Sequence, residues 1–132
     1  MIEINKALLE DLHEQARGSE RLRMNKDLRT SAADGSQRML NALEPGTKVA
    51  VHRHRETSET VICLQGCMDV VIYEVQDTAT VECSRVRLCP AEGKYGVQLP
   101  MGTWHSVEVY EPSTIFEAKD GAFVPIAMVD VR

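Results

Sequence analysis

Residues 46–66 read GTKVAVHRHRETSETVICLQG, and they are the most informative stretch of the sequence. His52 and His54 stand two residues apart, and Glu59 follows after four more residues. Residues two apart on a β-strand project from the same face, so this spacing aims both imidazoles at one point. A turn between His54 and Glu59 would let the chain return as a hairpin and bring the carboxylate beside them. The stretch therefore predicts a hairpin that carries metal-binding side chains.

A second motif, PMGTWH at residues 100–105, supplies a third imidazole at His105. Its proline and glycine predict a sharp turn that delivers this histidine. Three neutral imidazoles and one carboxylate suit Fe, Mn, Ni, Co, Cu or Zn, but neither Ca nor Mg. Four such ligands leave two positions free on a six-coordinate metal. We therefore predict one divalent transition metal ion, bound by His52, His54, Glu59 and His105.

The chain around these motifs is a series of short apolar or alternating runs separated by turn residues. This pattern predicts eight strands, over residues 39–43, 47–52, 60–64, 68–75, 80–88, 97–99, 104–109 and 114–118. Eight short strands are typical of a β-sandwich or barrel. No helix-length periodicity interrupts them, which excludes a parallel sheet built from βαβ units.

The first 37 residues have a different pattern. Asn5 can cap a helix that Gly18 ends, with one apolar stripe formed by Leu8, Leu9, Leu12 and Ala16. His13 lies off this stripe, which predicts a solvated side chain. Residues 19–37 are polar and predict a turn and a loop. The sequence thus divides into an N-terminal helix with its connecting loop, residues 1–37, and a β-barrel domain, residues 38–132.

Composition narrows the classes of function. The chain has 132 residues and a formal net charge of −5, with a pI of about 5.4, which argues against binding to nucleic acid or to an anionic membrane. No apolar run approaches the roughly twenty residues of a membrane-spanning helix. The N-terminus lacks the pattern of a signal peptide, so we expect a cytoplasmic location. The four cysteines match no zinc or redox motif and are expected to be reduced.

The two histidine motifs resemble those of the cupin superfamily. The first motif matches in full, as Gly46-x5-His52-x-His54-x4-Glu59-x6-Gly66. The second matches at Pro100, Gly102 and His105, whereas Gly93 lies one residue farther from Pro100 than is usual and Val109 replaces the terminal Asn. The resemblance implies an all-β, single-domain cupin double-stranded β-helix, a jelly-roll barrel, preceded by an N-terminal α-helix.

Within that superfamily the chain looks most like the WbuC family of cupin-fold metalloproteins. The likeness is carried by RMLNALEPGT at 38–47, HRH at 52–54, PMGTWH at 100–105 and FEAKDG at 116–121. The family is associated with bacterial polysaccharide gene clusters, especially those for O-antigen, so the resemblance implies a related ligand. Val51 and Ala50 depart from residues common in that family, and these departures bear on the specificity of the pocket.

Four further residues are candidates for chemistry or ligand binding. Glu117 could act as a general base and Tyr95 as a proton donor, while Lys48 and Lys119 could bind an anionic substrate. Cross-strand ion pairing explains Glu117 and Lys119 equally well. For Lys48 the alternative is a solvated lysine at a strand end.

The sequence leaves several functions open. The first is a metalloenzyme that acts on a small polar substrate of the sugar or nucleotide-sugar type, as an isomerase or epimerase. The others are an iron-dependent oxygenase, a non-catalytic binding or sensing protein, and a purely structural role. Exposed sheet edges and the outward residues Trp104 and Tyr110 predict a homodimer.

Overall fold

The computed structural model describes residues 1–132 and contains one α-helix and six β-strands. Their bounds are α1 Lys6–Arg17, β1 Arg23–Asp27, β2 Ser36–Leu43, β3 Glu59–Gln76, β4 Ala79–Leu88, β5 Gly96–Leu99 and β6 Trp104–Asp120. Two short 3-10 helices cover Pro90–Glu92 and Met128–Asp130. The chain is thus an antiparallel β-protein with an N-terminal helix, as predicted.

The strands form one sheet in the order β1-β2-β6-β3-β4, with β5 paired to β3. The first residues of β3 pair with β5, its last residues pair with β4, and β6 pairs along most of its length. The sheet therefore folds over on itself, and its two halves bury a common apolar core. That core comprises Leu43, Val61, Cys63, Met68, Val70, Leu88, Leu99, Val109 and Ile115.

The strands are fewer and longer than the sequence predicted. The runs predicted at 60–64 and 68–75 are one strand, β3, and those at 104–109 and 114–118 are one strand, β6. The strand predicted over 47–52 is wrong, because only His52 in it makes a β-bridge. The loop predicted over 19–37 contains β1, which its pairing with β2 holds in the sheet.

A bulged region at the middle of β3 explains why two strands were predicted. The register of β3 against β6 shifts between Cys63 and Met68, and the β3 side chains in the main apolar core change there from odd to even positions. Gly66 lies in this region with φ +100°, a conformation that favours glycine. A Cβ at this position would overlap the backbone of Pro112 and Ser113. Glycine at this position therefore allows the bent part of β3 to pack closely against the backbone of β6.

The N-terminal helix covers part of the outer face of the sheet. Asn5 caps α1 by accepting a hydrogen bond from the Leu8 amide at 3.0 Å, and Gly18 ends it, as predicted. Leu9, Leu12 and Ala16 are buried in a second apolar cluster with residues of β2. No helix of the chain has the length and apolar character needed to cross a membrane.

The prediction that His13 is solvated is wrong. Its side chain is buried and lies 2.8 Å from Glu44 through Nδ1 and 2.8 Å from Thr114 through Nε2. The histidine thereby joins the helix to the loop after β2 and to β6. A polar residue beside an apolar stripe can be buried when other segments bring it partners, and here those partners are 31 and 101 residues away in sequence.

Candidate metal centre

Two of the predicted ligands are held together by a backbone bridge. The His52 amide donates to the His105 carbonyl at 3.0 Å, and the His105 amide donates to the His52 carbonyl at 2.9 Å. Their rings consequently lie side by side, with centroids 4.4 Å apart. This bridge fixes His105, which follows the turn of the second motif, against His52 of the first motif.

The other two predicted ligands complete the cluster. The His54 ring centroid lies 5.1 Å from that of His52 and 5.7 Å from that of His105. Glu59, the first residue of β3, points its carboxylate between the rings, and its Oε2 lies 3.3 Å from His54 Nε2 and 3.2 Å from His105 Nε2. The structure therefore brings together all four side chains that the spacing predicted.

Backbone carbonyls orient two of the imidazoles. The Nδ1 atom of His52 lies 2.8 Å from the Ala50 carbonyl oxygen, and that of His105 lies 2.9 Å from the Thr103 carbonyl oxygen. Because a carbonyl oxygen can only accept, each Nδ1 carries the proton and each Nε2 keeps a free lone pair. Protein histidines that bind metals are commonly oriented in this way.

The cluster fits a transition metal. Ligand atoms about 2.1 Å from a shared metal, at angles between octahedral and tetrahedral, lie roughly 3.0–3.4 Å apart. The distances from Glu59 Oε2 to the two Nε2 atoms, 3.2 and 3.3 Å, fall in this range. This Oε2 is buried and makes no well-aligned hydrogen bond, although two Nε2 atoms lie close to it, a costly arrangement for a carboxylate. A metal ion would satisfy it.

The electrostatics agree with a neutral His52 and an ionised Glu59. Burial, with a smaller contribution from the neighbouring His105, lowers the pKa of His52 to about 4. Burial alone would raise the pKa of Glu59, but close contacts with His105 and His54 hold it well below its usual value. Both groups are therefore in the protonation state that a metal requires at neutral pH.

A small cavity adjoins the cluster inside the barrel. Its volume is about 50 Å³, and seven of its twelve lining residues are hydrophobic. The polar lining residues are His52, His105, Glu59, Asn41 and Glu117. About 10–15 Å³ of such volume holds one water. Only a few non-hydrogen atoms of a ligand can therefore enter.

Of the other candidate residues, Glu117 alone lines this cavity. Burial, together with the charge of Glu59, raises the pKa of Glu117 to about 8. Lys119 is partly buried and pairs in register with Glu59. Lys48 is exposed and lines a second, open cleft. Tyr95 is 61% exposed and lies outside the cavity.

The sequence did not indicate Asn41 as a residue of the site. Its Oδ1 is buried without a hydrogen-bond partner, and the only other such side-chain atom in the chain is the Glu59 Oε2. Both of these atoms belong to residues that line the cavity. The alternation of side chains along β2 could have indicated which of them face the interior of the barrel. The sequence did not show which strand pairs with β2, so its inner face could not be assigned.

The last residues of the chain pass beside His52. Val131 makes a bridge with His52, and the Asp130 carboxylate lies 2.7 Å from Arg53 and 2.9 Å from Arg55. Arg53 also lies over the buried Trp104 ring, 4.6 Å from its centroid. Burial therefore removes Trp104 from the surface predicted for a dimer contact.

The architecture is that of the cupin fold. The structure superposes on the capsular polysaccharide assembling protein CapF from Staphylococcus aureus with a TM-score of 0.62 and 19% identity, over 81% of this chain and 28% of that one. It superposes on oxalate decarboxylase from Lactobacillus farciminis with a TM-score of 0.62 and 15% identity, over 83% of this chain and 32% of that one.

A third similar structure is the cupin 2 domain-containing protein from Halorhodospira halophila, with a TM-score of 0.53 and 19% identity, over 73% of this chain and 62% of that one. This chain spans about 28% of the length of CapF. These identities show the fold alone. No curated protein matches the chain. The chain belongs to the family described as a domain of unknown function, DUF6016, whose model matches residues 4–84.

Proposed function

We propose that the protein is a cupin metalloprotein that binds one divalent transition metal through His52, His54, Glu59 and His105. The unpartnered Oε2 of Glu59, buried between two Nε2 atoms, is the observation that carries this proposal. A bound transition metal supplies polarisation of a carbonyl or hydroxyl group, or redox chemistry if the metal is iron. The protein contributes the orientation of the ligands and a largely apolar surrounding.

The proposed ligand is a small polar molecule of the sugar or nucleotide-sugar type. The likeness to the WbuC family supports a link with polysaccharide chemistry, and one protein of the same fold, CapF, is described as a capsular polysaccharide assembling protein. The size of the cavity limits how such a ligand binds, because about 50 Å³ excludes a whole sugar ring. Its metal-binding end would enter, and the rest would lie outside.

In this proposal Asn41 and Glu117 contact the part of the ligand that enters. Both line the cavity beside His52 and His105, and the free Oδ1 of Asn41 can accept a hydrogen bond from a ligand hydroxyl. Glu117 is placed to exchange a proton with the same group. Lys119 would add a positive charge near this end of β6, whereas Lys48 and Tyr95 would contact only the outer part of a larger ligand.

An iron-dependent oxygenase is the second candidate. The small, mostly apolar cavity favours it, because such a space accepts a diatomic molecule without the polar groups that a sugar needs. Metal identity separates the two candidates. Elemental analysis that finds iron, with oxygen consumed in the presence of a ligand, would favour the oxygenase.

Metal content tests the site itself. Elemental analysis of the protein purified without chelator, and after addition of metal, should find about one equivalent per chain. His105→Ala should lose the metal and keep the β-sheet signal in circular dichroism, since its ligand comes from a different turn than the other three. Glu56→Gln, a change at an exposed residue of the same loop, should keep full occupancy. Full occupancy in His105→Ala would show that the site is wrong.

Turnover is tested separately. The metal-loaded protein would be incubated with pooled sugar phosphates and nucleotide sugars, and products sought by mass spectrometry. Glu117→Gln should keep the metal and lose any product formation. Binding without product would instead support a sensing or binding role, and equal product formation by Glu117→Gln would remove that residue from the proposal.

Association into a homodimer remains a prediction, as does a cytoplasmic location. With Trp104 buried, the exposed apolar residues Ile62, Leu64 and Tyr95 on and beside β3 are the better candidate surface. Light scattering should give twice the mass of one chain. A mass near 14.7 kDa at every concentration would refute the dimer.

A further inference from the structure

Two cysteines, Cys67 and Cys89, lie close together outside the histidine cluster. Met68 of β3 pairs with Leu88 of β4, and the same register continued by one residue places Cys67 opposite Cys89. The two sulfur atoms and a carboxylate oxygen of Glu92 all lie within 4.8 Å of one another. Residues directly opposite on antiparallel strands are close enough for a disulfide, and both cysteines are reduced.

The two thiols differ in environment. Cys67 is partly exposed, whereas Cys89 is buried at 6% exposure. The guanidinium of Arg87 lies 3.7 Å from the Cys67 sulfur, so a positive charge faces this thiol. The contact with Cys67, then burial and Glu92, raise the pKa of Cys89 to about 11. The partly exposed Cys67 thiol, beside the Arg87 guanidinium, therefore lies next to the buried Cys89 thiol.

Arg87 also argues against a metal ion at this cluster. Its Nη1 lies 3.7 Å from the Cys67 sulfur and 3.9 Å from Glu92 Oε2, so a positive charge already faces both of these groups. The guanidinium is fixed there by Asp69 at 2.6 Å and by stacking over Tyr110 at 4.9 Å. A divalent cation would have to approach against this charge.

We propose that Cys67 and Cys89 form a modification site that low-molecular-weight disulfides, such as oxidised glutathione, convert to an intramolecular disulfide. The Cys67 thiolate attacks one sulfur of the reagent, a mixed disulfide forms, and one thiol leaves. Cys89 then gives up its proton and attacks the Cys67 sulfur, which releases the second thiol. Two protein thiols are oxidised, and one external disulfide is reduced to two thiols.

The experiment uses the folded full-length chain with Cys83→Ser, because Cys83 is exposed and would react independently. The protein is incubated with oxidised glutathione, its free thiols are counted, and a non-reducing digest is mapped by mass spectrometry. We expect the loss of two thiols and a linked peptide that joins Cys67 to Cys89, both reversed by dithiothreitol. The crosslinked form should also melt several degrees higher.

Single variants test the order of the steps. Cys89→Ser should stop at the mixed disulfide on Cys67, and Cys67→Ser should react far more slowly, because only the buried thiol remains. Arg87→Gln should slow the first step, since it removes the cation beside Cys67. The peptide map of the Cys83→Ser chain decides the proposal even if one of these further variants fails to fold.

Two results would overturn the proposal. One is that Cys67 and Cys89 stay reduced under conditions in which Cys83, in the unaltered chain, becomes a mixed disulfide. The other is that cobalt(II) added to the reduced protein produces thiolate-to-metal charge-transfer absorption that Cys67→Ser abolishes. The histidine cluster contains no sulfur, so this absorption would assign a metal ion to the cysteines instead.

Discussion

Replacing His13 by alanine should destabilise the protein strongly, although the residue lies on a helix of mixed exposure. Its side chain is 5% exposed and that of Glu44 is 8% exposed, with 2.8 Å between Nδ1 and Oε2. Removing the imidazole leaves the buried carboxylate with Arg17 alone, at 3.7 Å and through a side chain that is 58% exposed. Exposed partners contribute little, so Glu44 would be largely uncompensated.

The expected loss follows from the two contacts that disappear. A buried hydrogen bond to a charged group contributes about 1.5–3 kcal/mol, and one to a hydroxyl contributes about 1 kcal/mol. His13→Ala should therefore lower the free energy of unfolding by about 3 kcal/mol, a large part of the 5–15 kcal/mol of an ordinary domain. Thr114 keeps one partner, the Gln65 amide at 3.1 Å, which limits its share of the loss.

Urea denaturation followed by circular dichroism measures this loss. Glu10→Ala is the matched control, because Glu10 lies on the same helix with a side chain that is 65% exposed, and it should change the free energy of unfolding by less than about 0.5 kcal/mol. The double variant His13→Ala with Glu44→Ala should lose less than the sum of the two single variants. A loss below about 1 kcal/mol for His13→Ala would refute the reasoning.

Three further predictions concern other parts of the fold. Burial opposes ionisation of Asp69, but Arg87 and Tyr110 hold its pKa below the usual value. The contribution of this carboxylate to stability is therefore complete above a pH of about 4, and it is lost as the pH falls through the lower pKa of the folded state. The stability difference between the unaltered protein and Asp69→Asn, measured by urea denaturation, should therefore shrink on acidification, and a constant difference would contradict this. Gly66→Ala should cost at least about 2 kcal/mol from strain and overlap, whereas Gly35→Ala, where a Cβ meets nothing within 4 Å, should leave the melting temperature nearly unchanged. Asp130→Ala should raise amide hydrogen exchange at the C-terminus, and unchanged exchange would show that its ion pairs do not hold this segment.

The four candidate ligands could be predicted because two short motifs contain them all, although the strand expected over residues 47–52 is not formed. His52 and His54 share one segment, Glu59 begins the next strand, and a Pro-Gly turn precedes His105. The spacing therefore indicates which side chains can meet, and the bridge between His52 and His105 brings the two motifs together. The caps of α1 were predictable for the same reason, since Asn5 and Gly18 act on backbone groups within a few residues. Local rules sufficed wherever the interacting groups were close in sequence.

The features that could not be predicted depend on partners distant in sequence. β1 has no apolar alternation in RMNKD, and it is a strand because its backbone pairs with β2. The arginines after His52 are held by Asp130, which lies 75 or more residues later in the chain. The continuity of β3 depends on a bulge whose geometry β6 determines. None of these pairings leaves a periodic signal in the sequence.

The two unpartnered polar atoms link the fold to the proposed site. An unsatisfied buried polar atom costs about 1–3 kcal/mol, and in this chain such atoms occur only on Asn41 and Glu59. Elsewhere buried polar groups are satisfied by long-range partners, as His13 is by Glu44 and Thr114. The other buried polar side-chain atoms of the barrel have hydrogen-bond partners, so these two atoms are exceptions. Both line one cavity beside the imidazoles, so the metal and ligand that we propose would supply the missing partners.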